Sequence, residues 1–133
     1  MSTVRIAGAP ISWGVCEVPG WGHQMGPDRV LTEMAALGLE AMEFGPLGFL
    51  PEDAEGRKAT LAKHNMSAVG GFFPVVLHDP GFDPLPSIEK ELEAYVAADA
   101  EVLVLAAETG LDGYDAPRPE MAEENWQTMA TNL

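Results

Sequence analysis

Residues 102–115, VLVLAAETGLDGYD, place six apolar residues in succession ahead of a carboxylate and a loop rich in glycine and aspartate. A run this short and unbroken reads as a strand buried on both faces, the condition met when helical crossovers join parallel neighbours. Three similar runs precede it: residues 4–10 (VRIAGAP), 39–44 (LEAMEF) and 68–73 (AVGGFF). With the run at 102–107, their starts lie 35, 29 and 34 residues apart, a spacing that fits βα units. The pattern predicts an α/β fold of four βα units with parallel strands, in one domain over residues 1–133.

The segments between the runs read as helices. Gly26 and Pro27 open the first, Asp28 sits in its first turn, Val30, Leu31, Met34, Ala35 and Leu37 give an apolar face, and Gly38 ends it. The second, about residues 51–65, is weaker because Gly56 interrupts it and its apolar stripe is thin. A third starts near Ser87 as N-cap, with Ile88, Leu92, Tyr95 and Val96 on one face and Glu89, Lys90, Glu91 and Glu93 largely outside it. The fourth, from about Pro119, carries Met121, Trp126, Met129, Ala130 and Leu133 and reaches the last residue without a stop signal. Four units without a terminator lead to the expectation of half of a larger fold.

Seven Lys and Arg against 21 Asp and Glu give a formal charge of -14. That balance argues against nucleic-acid backbones and anionic membrane surfaces as partners, and most of these carboxylates read as a solvated surface. A single cysteine, Cys16, excludes an intramolecular disulfide or cysteine-based metal cluster within one chain. No secretory-type segment and no apolar run long enough for a bilayer is present, which predicts a cytoplasmic protein. G-x-G-x-x-G, P-loop, H-E-x-x-H and G-x-S-x-G motifs are absent too, removing the usual signs of dinucleotide, nucleotide, zinc-protease and serine-hydrolase chemistry.

In parallel α/β folds the loops leaving the carboxyl ends of strands build the site. Here those loops are the elaborate ones: residues 11–26, 45–50 and 74–86 mix aromatics and polar groups. Glu43 ends the second run among apolar neighbours, so its carboxylate either faces a strand-end pocket or takes a structural salt bridge. Trp13 follows the first run, where a rigid aromatic either stacks on the apolar face of a small polyol or plugs the mouth as core. His78 and Asp79 form a pair after the third run, suited to general-base or ligand work, or to a locally bonded turn. Glu108 holds a strand-end position like that of Glu43, with solvation at the turn as the alternative. His64 reads as a residue favoured by a helix C-terminus, and Asp112 and Asp115 as turn formers.

Four segments taken together resemble one family: GAPISWGVCEVPGWG (8–22), MEFGPLGFLP (42–51), FFPVVLHDP (72–80) and VLVLAAETGLDGYD (102–115). They look like the N-terminal half of the sugar phosphate isomerase/epimerase family with a xylose-isomerase-like TIM barrel, in particular its inosose dehydratase-like branch. The resemblance implies a (β/α)8 barrel of about twice this length, of which this chain is the first half. It implies metal-assisted isomerisation, epimerisation or dehydration of a ketose or inosose, with a sugar or inositol derivative as partner. It also implies a divalent metal (Mn, Co or Mg) held by carboxylates of later strands, so that this chain is expected to bind none and to be inactive alone. Trp13, Glu43 and His78 are the positions the resemblance carries over as substrate-binding. A non-catalytic half-barrel that binds polyols or forms a homo-oligomer through its open sheet edges is the competing expectation. A barrel endonuclease is a third, opposed by the charge.

Overall fold

The computed structural model describes residues 4–18 and 20–133. Three parallel strands, β1 (Ala41–Glu43), β2 (Ser67–Val75) and β3 (Val102–Ala107), form an open sheet in the order β1-β2-β3. Four helices accompany them: α1 (Pro27–Ala36), α2 (Ala54–Lys63), α3 (Leu85–Ala97) and α4 (Glu123–Asn132). This α/β arrangement is consistent with part of a TIM barrel. No helix among the described residues is long and apolar enough to cross a membrane.

The first of the four expected strands is reduced to a single rung. Gly8 donates its N–H to the Ala41 carbonyl and accepts from Glu43 N–H, both at 2.9 Å, in a parallel bridge to Met42. Residues 4–7 are exposed and outside any strand, and Pro10, which has no N–H to give a ladder, instead starts a 3-10 turn over Pro10–Trp13. Gly8 fits because a Cβ there would press on Leu39 and on the Met34 thioether of α1.

The helices follow from local chemistry. Pro27 at the start of α1 and Gly38 at φ 80° just beyond its end bracket Val30, Leu31 and Met34, all fully buried. At α2 the Asp53 side chain accepts from Gly56 N–H at 2.7 Å. Gly56 therefore does not interrupt the helix; it sits where the cap carboxylate approaches the backbone. The third helix starts two residues earlier than Ser87: Pro84 is its N-cap, Asp83 accepts from Leu85 N–H at 3.1 Å, and Ser87 donates back to the Pro84 carbonyl.

The buried side of α3 also differs from the expected face. Ala94 and Tyr95 are buried while Leu92 and Val96 are exposed. Glu91, expected outside, turns inward to Arg57 of α2 at 2.9 Å, with only 14% and 7% of the two side chains exposed. The guanidinium accounts for this: it lies 4.8 Å from the centroid of Phe44 and gives the carboxylate a charged partner within the core. The last helix begins at Glu123 rather than Pro119, where the Asn125 side chain accepts from Ala122 N–H. It buries no residue fully; Met129 packs against Phe73, Val75 and Leu77, and Trp126 stays exposed beneath Arg118.

Register sorts the sheet into two faces. Glu43, Gly70 and Val102 lie in one row, Phe72 and Val104 in the next, and Pro74 and Ala106 in a third. Paired positions in a parallel sheet point the same way, so these share a face. The opposite face carries Met42, Phe44, Phe73 and Leu103 into the helices, where the main core lies. A register shift between Met42 and Glu43, which skips Val69, lets both rows keep to their sides.

Candidate functional site

A cleft of about 440 Å³ opens at the carboxyl ends of β1 and β2. Its floor is Glu43, Phe72 and Pro74 from the strands, and its walls are Pro10 and Ile11 from the 3-10 turn with Glu17 from the long first loop. Gly45, at φ 77°, turns the chain away from β1 beneath Pro10; a Cβ there would lie 2.8 Å from the Pro10 ring. That close approach holds the 3-10 turn over the strand end.

Glu43 is exposed on the bare face of the sheet, and no ion pair engages it among the described residues. Its strand row-mate Gly70 has no side chain, and a Cβ there would run into the Val102 backbone carbonyl, so only glycine lets β3 pack this closely beside the Glu43 row. Behind the cleft stands Tyr95, whose ring meets Phe44 edge-on at 4.9 Å. Burial pushes the Tyr95 hydroxyl up to about 12; Glu91 adds to the rise, Arg57 opposes it and Glu43 contributes a smaller push. Tyr95 thus stays a neutral phenol through the physiological range.

The other two sequence-selected residues lie elsewhere. Trp13 does not line the cleft: its indole N–H donates to Glu33 of α1 at 2.9 Å, and its ring packs against the main core. Glu33 is held below the ordinary carboxylate value by its hydrogen bond from Arg29, then by that from Trp13. His78 is half-buried beside a second cleft of about 430 Å³ between the loops leaving β2 and β3, with Asp79, Thr109, Glu120 and Asn125. There Asn125 donates to the His78 carbonyl, and Asp79 accepts from Gly81 N–H at 2.8 Å, a local turn bond. Glu108 is exposed on the His78 side, in a shallow hollow with Arg118 and Trp126, and does not join Glu43.

Glu17, Ile11 and Phe72 were not singled out in the sequence. Phe72 had a readable signal: it alternates with Phe73 in a strand, so one of the pair had to face away from the helices. The long loop is also pinned across the strand ends, where Trp21 meets Tyr114 of the loop after β3 with ring centroids 5.1 Å apart. Among the described residues no three His, Cys, Asp or Glu side chains converge as a cation site.

Sequence comparison adds relatives to this geometry. An inosose dehydratase of Geobacillus kaustophilus (strain HTA426) is 34% identical over 91 residues, covering 68% of this chain and 27% of that protein. Inosose dehydratases of Mesomycoplasma hyopneumoniae (strain 7448) and Clostridium perfringens (strain 13 / Type A) are each 24% identical, over 100% and 99% of this chain and 45% and 46% of those proteins. The chain is thus similar to part of several inosose dehydratases. No family model matches it. It spans less than half the length of these curated relatives. In parallel α/β folds a cleft at the carboxyl ends of the strands is the expected location of a site, and Glu43 is the sequence-selected residue that lines this one.

Proposed function

We propose that this chain supplies a substrate-binding wall for an inosose-type polyol in an inosose dehydratase-like protein. The observation that carries the reading is the placement of Glu43 in the strand-end cleft, with apolar surface from Ile11, Phe72 and Pro74 around it. A cyclic polyol presents hydroxyls at its rim and C–H groups on its faces. A carboxylate accepts from two such hydroxyls, and an aromatic or aliphatic wall covers the ring face. Glu17 offers a second acceptor on the opposite wall. The sequence relation to inosose dehydratases narrows the polyol to a keto-inositol. In the dehydration of such a molecule a proton leaves the carbon beside the ketone and hydroxide leaves its neighbour, and Glu43 would hold the hydroxyls that orient those two carbons.

Titration of the isotope-labelled chain with an inosose, followed by amide chemical shifts, tests the reading. Shifts should concentrate at Ile11, Glu43, Gly45 and Phe72. Glu43→Gln should weaken binding about 10- to 100-fold, the range for losing a hydrogen bond to a charged group. Shifts centred on His78 and Thr109, or none at all, would sink the assignment.

A further inference from the structure

We propose that Arg57 is a positioning residue for the strand-end cleft: it fixes both ends of the loop over residues 45–50, which forms one wall of that cleft. That the wall meets a polyol rests on the function proposed above; that Arg57 holds the wall does not. Gly45, Pro46 and Leu47 line the cleft, and the stretch they belong to has little of its own to keep it in place. Gly45 and Gly48 sit at φ 77° and 82°, in backbone that glycine enters and leaves readily. Among the described residues, the bond from Phe49 N–H to the Pro46 carbonyl at 3.1 Å is the one backbone hydrogen bond donated from within the loop.

The guanidinium reaches the chain on both sides of this loop. Its Nε donates to the carbonyl of Pro51, the residue that follows, at 3.3 Å. Its centre lies 4.8 Å from the ring centroid of Phe44, the residue that precedes, and Tyr95 meets the same ring edge-on. Nη1 donates to Glu91 of α3 at 2.9 Å, so one rigid, planar fork joins α2, α3 and both ends of the loop. The gap left between Arg57, Glu91, Tyr95 and residues 45–48 measures about 10 Å³, room for a single water at most, so the loop rests directly against the pair.

Stability alone gives no reason for charge at this place. Arg57 is 6% exposed, and a buried ion pair generally stabilises a fold no more than apolar residues of the same volume. An apolar pair, however, cannot bond the Pro51 carbonyl while a cation covers the Phe44 ring. The second half of the loop needs no such help, because Phe49 and Leu50 are buried in the main core. The first half does: Leu47 is 68% exposed, and no packing holds it against the cleft. Arg57 therefore acts on the part of the loop that faces a ligand.

Amide hydrogen exchange and inosose titration of the double variant Arg57→Met with Glu91→Leu test it, because that variant keeps the volume of the pair and removes its directional bonds. With global stability near that of wild type, exchange of the Phe49 amide should quicken about 10- to 100-fold, the range for losing a hydrogen bond to a charged group, while amides of α1 exchange as before. The inosose dissociation constant should rise about tenfold, because only molecules with the wall in place bind. Arg57→Lys is a second check that does not depend on the double variant folding: it keeps a charge opposite Glu91 but has no Nε to reach Pro51, and should quicken Phe49 as well. Unchanged Phe49 exchange in the stable double variant or in Arg57→Lys would overturn the proposal, as would wild-type inosose affinity in a double variant whose loop has loosened. A wild-type chain that ignores inosose while Phe49 quickens in both variants would remove the polyol reading and leave Arg57 in its positioning role.

Discussion

Phe72 and Phe73 are the same residue type on consecutive positions of β2, yet one is 48% exposed and the other 9%. The difference is wholly one of side: Phe73 points to α3 and α4, and Phe72 points away from every helix. Leu103 and Val104 repeat the contrast on β3. The two faces of this sheet are therefore similar in apolar character and unlike in cover. Burial here comes from what the crossovers bring over a strand, and the face they leave uncovered is where both the cleft and the open edges lie.

The sharpest way to break the comparison is at the buried Arg57–Glu91 pair on the helix-covered face. Arg57→Ala leaves Glu91 as a buried charge without its partner, which should cost about 3–5 kcal/mol by denaturant titration. The double variant Arg57→Met with Glu91→Leu should recover most of that loss, since well-packed apolar residues replace such pairs at little cost. A small effect of Arg57→Ala alone would mean that water reaches the pair and that this face is less closed than it looks.

Next in size is the direct contrast of neighbours. Phe73→Ala should destabilise by about 3 kcal/mol, the lower end for a buried phenylalanine because its cluster is small. Phe72→Ala should stay within about 0.5 kcal/mol. Equal losses at the two positions would show that the bare face is covered in solution.

Sequence reading reached the elements whose signals are local. Pro27 and Gly38 bracket α1 by backbone chemistry that needs no partner, and β3 has the predicted ends because its apolar run is bounded by charged residues. It failed where a partner decides. Residues 4–10 look like a strand in isolation, but a strand exists only with a ladder, and Gly8 alone finds one. Glu91 looks solvated until Arg57 of another helix supplies a buried countercharge. Glu43 was legible from its position at a strand end. Trp13 was placed at the right end of the fold, but Glu33 on the neighbouring helix determines where its indole N–H goes. The separation of Glu43 from His78 into two clefts depends on how the loops pack over the strand ends, which no spacing within one segment reveals.

A smaller effect tests whether the cover of the helix face is set locally. Asp53 caps α2 through Gly56 N–H, on the element that carries Arg57. Asp53→Ala should lower stability by about 1 kcal/mol, and Asp53→Asn by less, because an amide oxygen still accepts the bond. If the two variants lost the same amount, the carboxylate's charge at the helix start rather than its cap bond would be what matters.

The smallest expected effect lies on the solvent side of the helices, where Asp28 of α1 accepts from Lys63 and His64 at the end of α2, both at 3.0 Å. The hydrogen bond from Lys63, followed by that from His64, holds the Asp28 carboxyl below its ordinary value of 3.8. A carboxyl lowered in the folded state favours folding while it is ionised. Its contribution is therefore present above the ordinary carboxylate range and is lost as pH falls through the lowered folded value. Because the group is fully exposed, salt should screen most of the effect. Denaturant midpoints measured against pH should show a slightly shallower acid limb in Asp28→Asn than in wild type at low ionic strength, with the two curves merging at high salt. An acid limb unchanged by Asp28→Asn at low salt would mean that the bridge between α1 and α2 adds nothing, and that the two helices are held over their face of the sheet by the packing of Val30, Leu31, Met34 and Leu61 in the core.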